Sequence, residues 1–220
     1  LPISEVEGSD PCTLGYFIDA TLEAADSDIN FSKIDRVLII PSPPCQATCS
    51  WGLKSIRETD DGTALFSISY ISSGYQGDIL NFVFKSNAIH ELSHNFGLKH
   101  SNDLECGSDI LNYRSCSRLE YGDYFDIMGS STLRREPYSS INREHIGWLN
   151  SSQILSVTSG GRYSIDSIAS MSSGIKALKI PSLYGNYYLE FYPGKVGYPT
   201  SYYNNGSMIR IPAFQGASTL

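Results

Sequence analysis

Residues 78–100 read DILNFVFKSNAIHELSHNFGLKH, and the closing eleven, His90 to His100, decide how the rest is read. Apolar residues recur at helical spacing up to Phe96, and Gly97 stands where a helix would stop in a left-handed cap, which predicts a helix over 78–96. On a helix of 3.6 residues per turn, His90 and His94 project from one face and can share a metal ion. Gly97 then turns the chain sharply and brings His100 back as a third ligand. Three protein ligands leave a fourth position for water, which separates a catalytic zinc from a structural one. Glu91 lies beside them and is the expected general base, taking a proton from that water and returning it to a leaving amine.

A histidine pair alone is weak evidence, because H-E-x-x-H arises by chance. Here the chain holds four histidines, and three of them fall within eleven residues at the spacing metal chemistry needs. The fourth, His145, lies in SINREHIGWL and is expected to be an ordinary helix residue with no role in the site.

Before the motif, LGYFIDATLEAAD at 14–26 predicts an amphipathic helix, and the apolar run Val37 to Ile40, ended by Pro41, predicts a buried strand. The Pro- and Cys-rich stretch 41–49 is expected to be a loop, with strands at 51–56 and 64–71. After the motif, 101–140 is polar and poor in apolar runs, so it is expected to be irregular and stapled by a disulfide. A short helix is expected over 140–149. Beyond Asn150, short runs at 154–158, 162–165, 175–180, 187–191 and 208–211, separated by Gly, Ser, Pro and Asn, predict an antiparallel β module. The division is therefore placed after Leu149, giving residues 1–149 and a β-rich module at 150–220. Because the last run ends close to the C-terminus, a reading in which that module is cut short stays open.

The 220 residues are 41% hydrophobic, enough for one good core and a smaller second one. No run of about eighteen apolar residues is present, so no membrane span is expected, and no signal peptide is visible. A chain beginning at Leu1 suits a processed form. The net charge of −7, without clustered Lys and Arg, argues against a nucleic-acid partner. Five cysteines at 12, 45, 49, 106 and 116 suggest local bridges Cys45–Cys49 and Cys106–Cys116, leaving Cys12 free or paired elsewhere. Acceptor triplets at Asn30, Asn150 and Asn205 suit a secreted glycoprotein.

His90 to His100 matches the H-E-x-x-H-x-x-G-x-x-H signature, and the chain is thereby similar to the metzincin metalloproteases. YGDYFDIMGSS at 121–131 resembles that clan's methionine-bearing turn, with Met128 in the matching place. The Y-G-D-x-x-D-x-M-G form, at Tyr121, Gly122, Asp123, Asp126, Met128 and Gly129, most resembles the gametolysin-like peptidases, as do REHIGWL at 143–149 and YYLEF at 187–191 more loosely.

The resemblance implies an α+β catalytic domain, with a mixed twisted sheet and helices above a cleft and an irregular lower part below it. It implies zinc on His90, His94 and His100, Glu91 as base, and Met128 supporting the site without touching the metal. Some metzincins carry a tyrosine ligand two residues after the methionine; this chain has Ser130 there, so only three protein ligands are expected. Extracellular, cell-wall or matrix proteins or glycoproteins are the implied substrates. The competing readings are a catalytically silent zinc protein that binds an adhesion or other partner, and a structural domain in which residues 150–220 act.

Overall fold

The computed structural model describes residues 14–40, 50–71, 82–108, 115–129, 138–182, 185–193 and 206–211. The fold is mixed α+β and divides into two compact units, 1–97 and 98–220. The expected division after Leu149 lies inside the second unit.

In the first unit, helix α1 (Leu14–Asp26) precedes a short 3-10 turn (Phe31–Lys33) and strand β1 (Arg36–Ile39). Strands β2 (Ser50–Thr59) and β3 (Gly62–Ile71) form a hairpin, and helix α2 (Phe82–Asn95) follows. The sheet order is β1-β3-β2, with β1 parallel and β2 antiparallel to the central β3. Because side chains alternate along a strand, β3 faces two ways. Ala64, Phe66, Ile68 and Tyr70 join Ile18 and Leu22 of α1, with Phe31 and Ile39, in one core. The other face carries Ser67 and Ser69, and Asn95 of α2 donates to Ser69 Oγ at 2.6 Å. The two helices therefore lie on opposite faces of the sheet. Burying Phe66 or Ile68 to this extent stabilises the unit by about 1.5–3 kcal/mol each.

In the second unit, β4 (Asp103–Glu105) and β5 (Ser117–Leu119) pair antiparallel, and the disulfide between Cys106, just after β4, and Cys116, just before β5, closes one end of the ribbon. This ribbon is a regular element inside a stretch expected to be irregular. Helix α3 (Ser140–His145) is shorter than the expected 140–149; Gly147, at φ 76°, takes the chain out of it, and Trp148 and Leu149 amides bond back to the Arg143 carbonyl.

Strands β6 (Ile154–Ser156), β7 (Ala177–Ser182), β8 (Gly185–Tyr192) and β9 (Gly206–Arg210) form one sheet in that order. This departs from the expected antiparallel module of short strands in two respects. The sheet is mixed, since β6 runs parallel to β7, and 162–165 is not a strand. In that segment the Tyr163 hydroxyl instead closes a local turn on the Ser159 carbonyl at 2.7 Å. Ile141, Leu149, Ile154, Ile168, Ala177, Tyr188 and Tyr192 form the core of this unit. The Cys106–Cys116 pairing is as expected, whereas Cys12, Cys45 and Cys49 lie outside the described residues, as do 78–81 of the predicted long helix. No helix among the described residues is long and apolar enough to cross a membrane.

Candidate metal centre

Helix α2 holds neither Gly nor Pro, and it ends where the sequence predicts. Gly97 adopts φ 86°, and its amide donates to the His94 carbonyl at 2.9 Å. That left-handed turn lets Leu98, 3% exposed, bury its side chain two residues before His100. At the helix end, Asn95 is tied to Ser69 of β3, so the two histidines upstream ride on a fixed element. His90 and Glu91 are buried, at 2% and 6% exposure, whereas His94 and His100 are half-buried. The rings of His90 and His94 meet edge to face with centroids 4.8 Å apart.

Candidate ligand atoms of His90, His94 and His100 all lie within 4.8 Å of one another, so the chain does bring together the three residues the motif singles out. Three imidazoles suit zinc by donor chemistry, and tetrahedral Zn–N bonds of about 2.0–2.1 Å would set the nitrogens roughly 3.3 Å apart. The observed spacing, within 4.8 Å, is wider than that but of the order a shared ion needs. His100 is engaged on both sides: Nδ1 lies 2.9 Å from Glu120 Oε1, and the Tyr121 hydroxyl lies 2.8 Å from Nε2.

Met128 is fully buried and packs with Leu98 and Ile127, and its carbonyl accepts the Ser101 amide at 2.8 Å. The methionine turn is thus bonded to the residue that follows His100. Asp126 organises the turn. One carboxylate oxygen accepts the Met128 amide, and the other accepts the Ser139 amide and the Asn142 side-chain amide, each at 2.8 Å. Asn142 also donates to Ser101 Oγ at 3.3 Å. Gly129 is required here, because a Cβ at that position would lie 1.8 Å from the Asp123 carbonyl oxygen.

Next to this network Arg210 of β9 bonds both Asp123 and Glu190, and Glu190 accepts the Ser140 amide at 2.7 Å. Burial works to lower the Arg210 pKa, but the carboxylates of Asp123, Glu190 and Asp126 outweigh it and hold the guanidinium charged well above its ordinary range. Burial likewise pushes the Asp123 carboxyl up, against the pull of Arg210. The last strand thereby clamps the methionine turn through an ion pair that joins residues 87 apart in sequence.

His90, Glu91, His94, Gly97, His100 and Met128 were expected from the sequence, and Ser101, Glu120, Asn142, Glu190 and Arg210 were not. Asp123 and Asp126 stood in the quoted motif without a role. The one available signal for the others was polarity within an apolar context, as with Glu190 in YYLEF. His145, given no role, lies at the end of α3 and in none of the contacts above. No protein-family model, no curated protein and no solved structure matches this chain.

Proposed function

We propose that this chain is a secreted zinc-dependent endopeptidase of the metzincin type, similar to the gametolysin-like peptidases, cleaving extracellular proteins or glycoproteins. The observation that carries the reading is the convergence of His90, His94 and His100 on one point, with Glu91 next in sequence to the first of them. When bound, zinc would lower the pKa of a water toward about 7 and polarise the scissile carbonyl. The chain's own part is to place the proton traffic. Glu91 takes the proton from the attacking water, and the resulting carboxylic acid returns it to the departing amine, so one residue serves as base and then acid. Its burial keeps bulk water from competing for that proton.

His90 and His94 are set by α2, while Ser101, fixed by the Met128 carbonyl and Asn142, sets the position of His100. Ser101, Met128 and Asn142 therefore act on the third ligand without being ligands themselves. The Cys106–Cys116 bridge supports an oxidising, extracellular setting.

Metal analysis of the purified chain tests the site. The expected result is one zinc per chain, retained in Glu91→Gln and lost in His90→Ala; zinc absent from the parent after loading would sink the proposal.

A further inference from the structure

We propose that Glu120 and Tyr121 are positioning residues for the third metal ligand. Glu120 fixes the His100 ring so that Nε2 is the nitrogen left for a metal, and Tyr121 donates to that same nitrogen. The inference rests on the zinc reading of the site and goes beyond it to how the site is loaded.

The tautomer follows from the contacts. A carboxylate can only accept, so the 2.9 Å approach of Glu120 Oε1 requires the proton on His100 Nδ1. In the neutral ring Nε2 is then the acceptor, and at 2.8 Å the Tyr121 hydroxyl donates into the lone pair that a metal would use. Ligating histidines commonly give their second N–H to a carboxylate, which orients the ring and raises its basicity. A metal bound there would use the Nε2 lone pair in place of the phenol O–H, which would keep its proton.

The backbone is built for this. Among the described residues Tyr121 is the sole non-glycine with positive φ, at 58°, a conformation an aromatic residue seldom adopts. What holds it is the β4–β5 ribbon, whose register sets Asp103 opposite Leu119 and which the Cys106–Cys116 bridge closes at its far end. The Tyr121 amide donates to Asn102 Oδ1 at 3.2 Å, and the Gly122 amide to the Leu119 carbonyl at 3.1 Å. Gly122 lets the turn sit this close, since a Cβ there would lie 2.7 Å from Asp103 Cβ. The left-handed residue lays its ring against His100, with centroids 3.9 Å apart and the planes tilted by 35°.

The test is zinc affinity, measured by competition with a chromophoric chelator, for the parent, Glu120→Ala, Glu120→Gln and Tyr121→Phe, beside melting of the metal-free proteins. Because Glu120 is 57% exposed and solvent screens it, the loss expected in Glu120→Ala is about tenfold, the low end for such partners. Glu120→Gln keeps an acceptor oxygen and should restore affinity to within about threefold of the parent. Tyr121→Phe removes the competing donor and should bind zinc about two- to tenfold tighter. Unchanged melting of the metal-free variants would show that the fold is not what moved. Parent-like affinity in Glu120→Ala overturns the role of Glu120, and weaker binding in Tyr121→Phe, which would make the phenol a ligand, overturns that of Tyr121. A parent that binds no zinc overturns the metal site itself, a result distinguishable from either.

Discussion

Replacing Asp126 by Ala should be among the most damaging single changes in the second unit. Asp126 is 2% exposed, and its two oxygens accept three hydrogen bonds, from the Met128 and Ser139 amides and from Asn142 Nδ2. The donors are themselves sealed off: Met128, Ser139 and Asn142 are at most 1% exposed. A buried donor left without an acceptor costs about 1–3 kcal/mol, so three would sum to roughly 3–9 kcal/mol; water entering the vacated space trims this to about 3–5 kcal/mol. That is a large share of the roughly 5–15 kcal/mol that holds an ordinary domain folded. Asp126→Asn keeps the shape but converts one acceptor into a donor, and should lose about 1–3 kcal/mol. Urea unfolding followed by tryptophan fluorescence measures both. Since Ser101 is held by the Met128 carbonyl and Asn142, zinc affinity should fall in the same variants. A loss under about 1 kcal/mol in Asp126→Ala would refute the reasoning, because it would mean the three donors find other partners.

Gly129→Ala should disrupt the methionine turn, since the new Cβ would meet the Asp123 carbonyl oxygen at 1.8 Å; melting within a degree of the parent would contradict this. Reducing the Cys106–Cys116 bridge frees a loop with sequence separation 10, and chain-entropy arguments put the loss near 2–3 kcal/mol, readable as a lower urea midpoint in reductant. Acid should strip the metal, because imidazoles ligate only when neutral; zinc content and activity are expected to fall together toward about pH 5, and activity persisting at pH 4 with zinc retained would contradict the ligand assignment.

The parts of the molecule that were legible in sequence are those whose reasons are local. Gly97 and the histidine spacing foretell a helix end and a ligand set because both depend on one turn of backbone. The leading helix 14–26 was legible from its apolar stripe. Strand β3 was harder, since its α2 face carries Ser67 and Ser69 where a simple pattern expects apolar residues; a helix approaches closely there, and small side chains make room.

Other features depend on partners distant in sequence. Nothing in ILS at 154–156 tells whether it will run parallel or antiparallel to β7. The β4 and β5 segments are three residues each and mostly exposed, so they lack a hydrophobic alternation, and pairing plus a disulfide makes the ribbon. Arg210 looks like any charge near a chain end until Asp123 and Glu190 are seen to neutralise it. The same holds for Glu120, which is a routine surface acid except that the ribbon carries it to His100.

The most direct test of the central claim is cleavage of an unfolded, generic protein by the zinc-loaded chain, beside its Glu91→Ala variant and a chelated control. The account predicts that the parent alone cleaves, and that Glu91→Ala keeps its zinc yet turns over at least about a hundredfold more slowly. Silence in all three with zinc bound, or parent-like cleavage by Glu91→Ala, would contradict it.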